Sequence, residues 1–176
     1  MRNLFDIQGK VAVVTGGSRG IGAMIARGFV ENGVRTYITA RKEAELRNTE
    51  RELSALGECI AIPSDLSTVA GVGEFAAAVA AAEDRVHILV NNAGATWGAD
   101  IDEFPESGWD KTMDLNVKSM FFLTQQLLSA LRAAGSREDS ARVINIGSIN
   151  GITHPHMKNY AYSASKAAVH QLTRHL

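Results

Sequence analysis

The chain has 176 residues, enough for one domain with a buried core. Its 18 basic and 19 acidic side chains leave a formal charge of −1, which excludes the basic footprint of a nucleic-acid or anionic-membrane binder. The single cysteine, Cys59, excludes an internal disulfide and suits a reducing compartment. Residues Met1–Gly9 lack the apolar run of a signal peptide, and no later stretch is long enough to span a bilayer. The expectation is a soluble, cytoplasmic protein of one domain, residues 1–176.

In chain order, Val11–Thr15 is a short apolar run that predicts a strand, followed by glycine-rich Gly16–Gly22 and a helix over Ala23–Glu31 that ends near Gly33. Val34–Ala40 is β-branched and predicts a second strand, and Glu43–Leu56 a helix with one solvated face. Cys59–Pro63 predicts a third strand, Ala70–Ala82 an alanine-rich helix and Val86–Val90 a fourth strand. Trp109–Arg132 carries an apolar stripe at helical spacing, with Gly135–Ser140 a surface loop after it. Arg142–Ile146 predicts a fifth strand, and a last helix runs from Tyr160 to the terminus. Short apolar strands alternating with helices predict an α/β fold: a Rossmann-type, doubly wound parallel sheet with helices on both faces.

Thr15-Gly16-Gly17-Ser18-Arg19-Gly20-Ile21-Gly22 lies between the first strand and the first helix. Glycines there let the backbone approach a pyrophosphate, and the helix N-terminus presents free N–H groups to it. Elsewhere such a run is an ordinary turn; its place at the start of a βαβ unit points to a dinucleotide. NAD-binding sheets usually carry an acid at the end of the second strand for the ribose 2′-hydroxyl. Here the segment reads Thr39-Ala40-Arg41-Lys42, with no carboxylate before Glu43. Arg41, helped by Arg19, could pair with a 2′-phosphate, which favours NADP(H). The competing explanation is that Arg41 and Lys42 are the solvated start of a helix.

Tyr162-Ser163-Ala164-Ser165-Lys166 places a phenol and an ammonium four residues apart on one helix face. A free tyrosine, with a pKa of about 10, is a poor acid–base at neutral pH. A cation about 4 Å away, at an effective dielectric near 20, favours the phenolate by about 4 kcal/mol. Tyr160 lies six residues from Lys166, on a different face, so Tyr162 is the candidate. Ser148 follows the fifth strand at the C-terminal edge of the sheet, where ligands bind in such folds. Asn116 interrupts the apolar stripe of the long helix; alone, it would read as a polar residue bonded to a nearby carbonyl. His154 and His156 have no metal-ligand spacing and read as surface loop residues, so no metal is expected.

The glycine loop, Asn91-Asn92-Ala93-Gly94 after the fourth strand, Asn116, Ser148 and Tyr162-x-x-x-Lys166 together resemble the short-chain dehydrogenase/reductase family over essentially the whole chain. Within it, the glycine loop and Arg41 are most similar to bacterial 3-oxoacyl-carrier-protein reductases, including the rhamnolipid-associated type. The resemblance implies hydride transfer between NADP(H) and a ketone or secondary alcohol. Tyr162 would donate the proton, Ser148 hold the substrate oxygen, Lys166 polarise Tyr162 and bond the nicotinamide ribose, and Asn116 support a relay water. Gly16, Ser18, Arg19, Gly20, Ile21, Gly22, Arg41, Asp65, Leu66, Asn92, Ala93 and Gly94, with Tyr162 and Lys166, would contact the cofactor, Asp65 at the adenine. The family fold continues past this last helix into further strands and a substrate lobe. The chain stops at Leu176, so these are expected to be absent, leaving a poorly soluble, weakly active polypeptide with an unpaired fifth strand. Relatives pair the long helix and the next one across a subunit interface, which implies a homodimer or homotetramer of the full-length form. The other functions weighed are an NADP(H)-binding regulator and a non-catalytic remnant; the joint presence of Tyr162, Lys166, Ser148 and Asn116 argues against the regulator.

Overall fold

Five parallel strands form one sheet in the order β3-β2-β1-β4-β5 in a computed structural model that describes residues 5–154 and 156–176. The part of the N-terminal reading that concerns Met1–Leu4 lies outside those residues. The strands are β1 (Val11–Thr15), β2 (Arg35–Thr39), β3 (Cys59–Ala61), β4 (Ile88–Asn91) and β5 (Arg142–Asn145). Val13 sits beside Tyr37 on one side and Leu89 on the other, and Val90 beside Ile144. Strand order reverses direction at β1, so the edge between β1 and β4 is the topological switch point where such sheets bind ligands.

Alternation along the central strands builds two cores. Val11 and Val13 face Phe75 and Val79 of α3 (Val69–Ala82) and Leu123 of α5 (Ser119–Gln126). Ala12 and Val14 face Ala26 and Val30 of α1 (Gly20–Glu31) and Leu46 and Leu53 of α2 (Glu43–Ser54). Val13, Val14, Leu89 and Ile38 are fully buried, which explains strand runs that are apolar throughout rather than alternating. Cys59 is buried beside them, and loss of solvation pushes its thiol up to about 12, with Glu50 adding to the effect.

The predicted single helix over 109–132 is divided. It begins at α4 (Glu106–Met113), passes through a π-turn at Asp114–Lys118 into α5, and resumes after Leu127 as α6 (Leu128–Ala134). Leu115, Met120, Leu123, Leu127 and Leu131 stay buried across these breaks, so the apolar stripe reads as continuous in the sequence. The chain then returns through β5, a short 3₁₀ turn at Ile149–Gly151 and α7 (Tyr160–His175), which packs on α4 and the π-turn. Among the described residues β5 is paired on one side only, and Val143 and Ile144 are 38% and 43% exposed. The expected unpaired strand is therefore present. No helix among the described residues is long and apolar enough to cross a membrane.

Candidate active site

The turn after β1 brings the backbone close to itself. A Cβ at Gly22 would lie 2.2 Å from the Gly16 carbonyl oxygen and 2.5 Å from Asn92 Nδ2, so only glycine fits there. Gly20 has φ +55°, and the space where a Cβ would stand is open. Arg19, at the N-cap of α1, makes no side-chain cap. The first-turn residues Gly20, Ile21 and Gly22 instead line a cavity of about 360 Å³. An uncapped helix start with an open glycine beside it fits an anionic ligand such as a pyrophosphate.

The cavity extends along the ends of β2 and β4. It is lined by Ser18 and Arg19, by Thr39, Ala40, Arg41 and Lys42, by Ser64 and Leu66, and by Asn92, Ala93, Gly94 and Leu115. Arg19 and Arg41 therefore do meet in one place. Glu45, in the first turn of α2, lines it too, accepting a hydrogen bond from Ser18 Oγ at 2.9 Å and lying 3.7 Å from Arg19 Nε. Asp65 is not part of the lining. Its carboxylate accepts from the Ser67 backbone N–H and hydroxyl in a local turn. Partial burial opposes its charge, but those bonds and the charge of Arg41 outweigh this and hold its pKa below the ordinary value.

The cavity floor is tied together by side chains. Thr15 Oγ accepts from the N–H groups of Asn92 and Ala93, at 2.9 and 2.8 Å, while Asn92 Nδ2 donates to the Thr15 carbonyl. Asn91 Nδ2 donates to Asn145 Oδ1 at 2.8 Å, locking β4 to β5. Asn116, buried within the π-turn, accepts from Ala95 N–H at 2.7 Å and donates to the Ala95 carbonyl and to Ser165 Oγ, each at 2.9 Å. Both amide hydrogens are thus engaged inside the protein. Among these contacts Asn116 joins the loop after β4 to α7, and π-turns often mark functional sites for this kind of re-aiming.

Ser165 Oγ in turn donates to the Tyr162 carbonyl at 2.7 Å, so the π-turn holds the first turns of α7 in place. Lys166 is buried, with its ammonium 5.7 Å from the centre of the Tyr162 ring and 2.6 Å from the Ile146 carbonyl, to which it donates. Burial holds its pKa below the ordinary lysine value. One of its three N–H groups is committed to Ile146, leaving two for other partners. Tyr160 turns elsewhere, packing edge-on against Phe104. Ser148, just past β5, accepts from Asn150 N–H through its hydroxyl at 3.2 Å, and its own N–H donates to His170 Nε2 at 3.4 Å.

The short chain dehydrogenase family profile matches residues 10–176. The rhamnolipids biosynthesis 3-oxoacyl-[acyl-carrier-protein] reductase of Pseudomonas aeruginosa is 52% identical over 176 residues, covering 100% of this chain and 69% of the relative. This chain is a short-chain dehydrogenase/reductase. The Pseudomonas aeruginosa RhlG/NADP active-site complex superposes with a TM-score of 0.95 at 51% identity, over 99% of this chain and 68% of that one. A metagenomic short-chain oxidoreductase in complex with NADP superposes with a TM-score of 0.87 at 38% identity, over 97% and 76%. The doubly wound fold expected from the sequence is the one these structures share.

The glycine loop with Arg19, Arg41, Leu66, Asn92, Ala93 and Gly94 lines the cavity, and Asn116 reaches the helix of Tyr162 and Lys166 through Ser165; Asp65, Ser148, Tyr162 and Lys166 are not among the lining residues. Four contributors escaped the sequence reading. Thr15, Ser165 and His170 are ordinary strand or helix residues whose role appears only when elements meet. Glu45 could have been noticed as an acid one helical turn beyond the arginines, on the first turn of α2.

Proposed function

We propose that this chain binds NADP(H) and reduces a ketone, of the 3-oxoacyl class, to a secondary alcohol. The single observation that carries the reaction type is the pairing of Tyr162 with the buried, anchored Lys166 on one face of α7. The two arginines in the cavity and the absence of an acid at the end of β2 support NADP(H) over NAD(H). NADP-bound relatives support the same choice. The substrate class rests on the name of the Pseudomonas aeruginosa relative.

When bound, the dinucleotide supplies a hydride at the carbonyl carbon. Its residues of attachment would be the glycine loop and the first turn of α1 for the pyrophosphate, Arg19 and Arg41 for the 2′-phosphate, and Lys166 for the nicotinamide ribose. Tyr162 gives its phenolic proton to the substrate oxygen. Lys166, with one N–H fixed on Ile146, keeps a positive charge beside the ring and steadies the phenolate that forms. The Ser148 hydroxyl, oriented by accepting from Asn150, donates to the same oxygen. Asn116 holds Ala95 and Ser165 in position, and only its remaining Oδ1 lone pair is open to a relay water. Residues 1–176 are read as one dinucleotide-binding and catalytic domain, incomplete at its C-terminal side, and the activity is assigned to the cytoplasm and to a dimer or tetramer of the full-length form; exposed Trp109 and Leu128 on the α4–α6 stretch support such pairing.

Following NADPH absorbance with 3-oxoacyl thioesters and with simple ketones tests the reading. Turnover of a thioester well above that of the ketones is expected. Binding of NADPH with no turnover of any carbonyl would instead support a regulator.

A further inference from the structure

The cavity that holds the arginines also holds one acid, and it is firmly held. Arg19, Arg41 and Lys42 carry three positive charges into the lining, and Glu45 is the only carboxylate among the described lining residues. Its Oε1 accepts from Ser18 Oγ at 2.9 Å and stands 3.7 Å from Arg19 Nε. Thr49 fastens the same corner, its hydroxyl lying 2.7 Å from the Ser18 carbonyl and 3.2 Å from the Glu45 carbonyl. The Glu45 side chain is 33% exposed, against 76% for Arg19, so the acid is the more enclosed partner and the arginine the more open one. A carboxylate tied down in this way shares its immediate surroundings with any anion that the arginines attract.

We propose that Glu45 is a specificity-determining residue that holds down the preference for the 2′-phosphorylated dinucleotide; this rests on the NADP(H) reading above. A 2′-phosphate drawn to Arg19 meets Glu45 as well, and must either draw Arg19 and Ser18 away from the carboxylate or stand beside it against like-charge repulsion. A ribose 2′-hydroxyl carries no charge and meets no such penalty; as a donor it suits a carboxylate. Glu45 therefore narrows the gap in affinity between NADPH and NADH that three cations alone would set. It does so from the third residue of α2, beyond the strand end where NAD-binding sheets usually carry their acid.

The test is equilibrium binding of NADPH and of NADH to the purified 176-residue chain, by nicotinamide fluorescence or calorimetry, so that no turnover is needed. Glu45→Gln keeps an oxygen that accepts from Ser18 and removes only the charge. NADPH should bind about tenfold more tightly, the change given by ~1.4 kcal/mol of relieved repulsion. NADH should move by less than about twofold by the same charge argument. Glu45→Asp keeps the charge, and its ratio of the two affinities should stay near that of the parent. Raising the salt should shrink the difference between Glu45→Gln and parent, because exposed charges are screened. An unchanged or lowered NADPH-to-NADH preference in Glu45→Gln would overturn the proposal while leaving the dinucleotide reading intact. Failure of the parent chain to bind either nucleotide would overturn both.

Discussion

Thr39 closes β2 with its side chain fully buried, and its hydroxyl has no hydrogen-bond partner among the described residues. An unsatisfied buried hydroxyl costs about 1–3 kcal/mol, and a β-branched isostere without it fits the same strand. Thr39→Val is therefore expected to raise the melting temperature by about 2–4 °C per kcal/mol recovered, read by calorimetry. A lower melting temperature would show that the hydroxyl has a partner in solution. Asn116 is the opposite case, with every amide hydrogen in use. Asn116→Ala strands the Ala95 N–H and carbonyl and should destabilise the fold by about 2–4 kcal/mol. Unfolding by denaturant measures this, and a loss below about 1 kcal/mol would contradict the bracing role. Single residues differ in how openly the sequence declares them. Tyr162 was separable from Tyr160 because the four-residue step to Lys166 is a property of any helix. His170 was not, because its contact with the Ser148 N–H depends on how α7 lies against β5, which no local pattern encodes.

The elements themselves follow the apolar runs closely. β1 has its expected bounds; β2 and β3 end one and two residues early, where the chain turns into the loops that carry Ala40, Ser64 and Leu66 of the cavity; β5 ends one residue early, and β4 runs Ile88–Asn91 rather than Val86–Val90. The stretch before the fifth strand was legible as helical but not as interrupted. A π-turn costs little in the apolar pattern, and its signature here is Asn116 buried where an apolar side chain was expected. β5 is the strand most open to the solvent. Its outer edge has no strand beside it among the described residues, and Ile144 is 43% exposed. Such an edge promotes pairing between chains, and a lysine on it opposes this. Ile144→Lys should slow the growth of light scattering in concentrated solutions of the chain; unchanged scattering would show that association proceeds through another surface.

At the scale of the molecule, the sheet has a chemical end and a structural end. At the structural end His87 Nδ1 accepts from the Val11 N–H at 3.0 Å, stapling the start of β1 beside β4. Burial first, then the charge of Lys10, holds the His87 pKa below the ordinary value. The folded state therefore favours neutral His87. The stability this gives is present above about pH 6.5, the unfolded value, and is lost as the pH falls through the lower folded value. The melting temperature of the parent should drop over that interval by a few degrees more than that of His87→Gln, whose amide oxygen accepts at any pH; parallel curves would contradict it. At the chemical end, the order β3-β2-β1-β4-β5 sets the glycine loop after β1 beside the loop after β4, and Asn116 ties that second loop to α7 through Ser165. This chain spans about two thirds of its relatives' length, 69% of the Pseudomonas aeruginosa reductase.

Tyr162 as the proton donor is the claim on which the rest depends. NADPH-driven carbonyl reduction by parent and Tyr162→Phe, with NADPH affinity measured on the same samples, tests it most directly. Phenylalanine keeps the ring beside Lys166 and removes only the hydroxyl. Loss of turnover by about 10²–10⁴-fold, the usual worth of a positioned general acid, is predicted, with NADPH affinity within a few-fold of the parent. Turnover retained in Tyr162→Phe would contradict it.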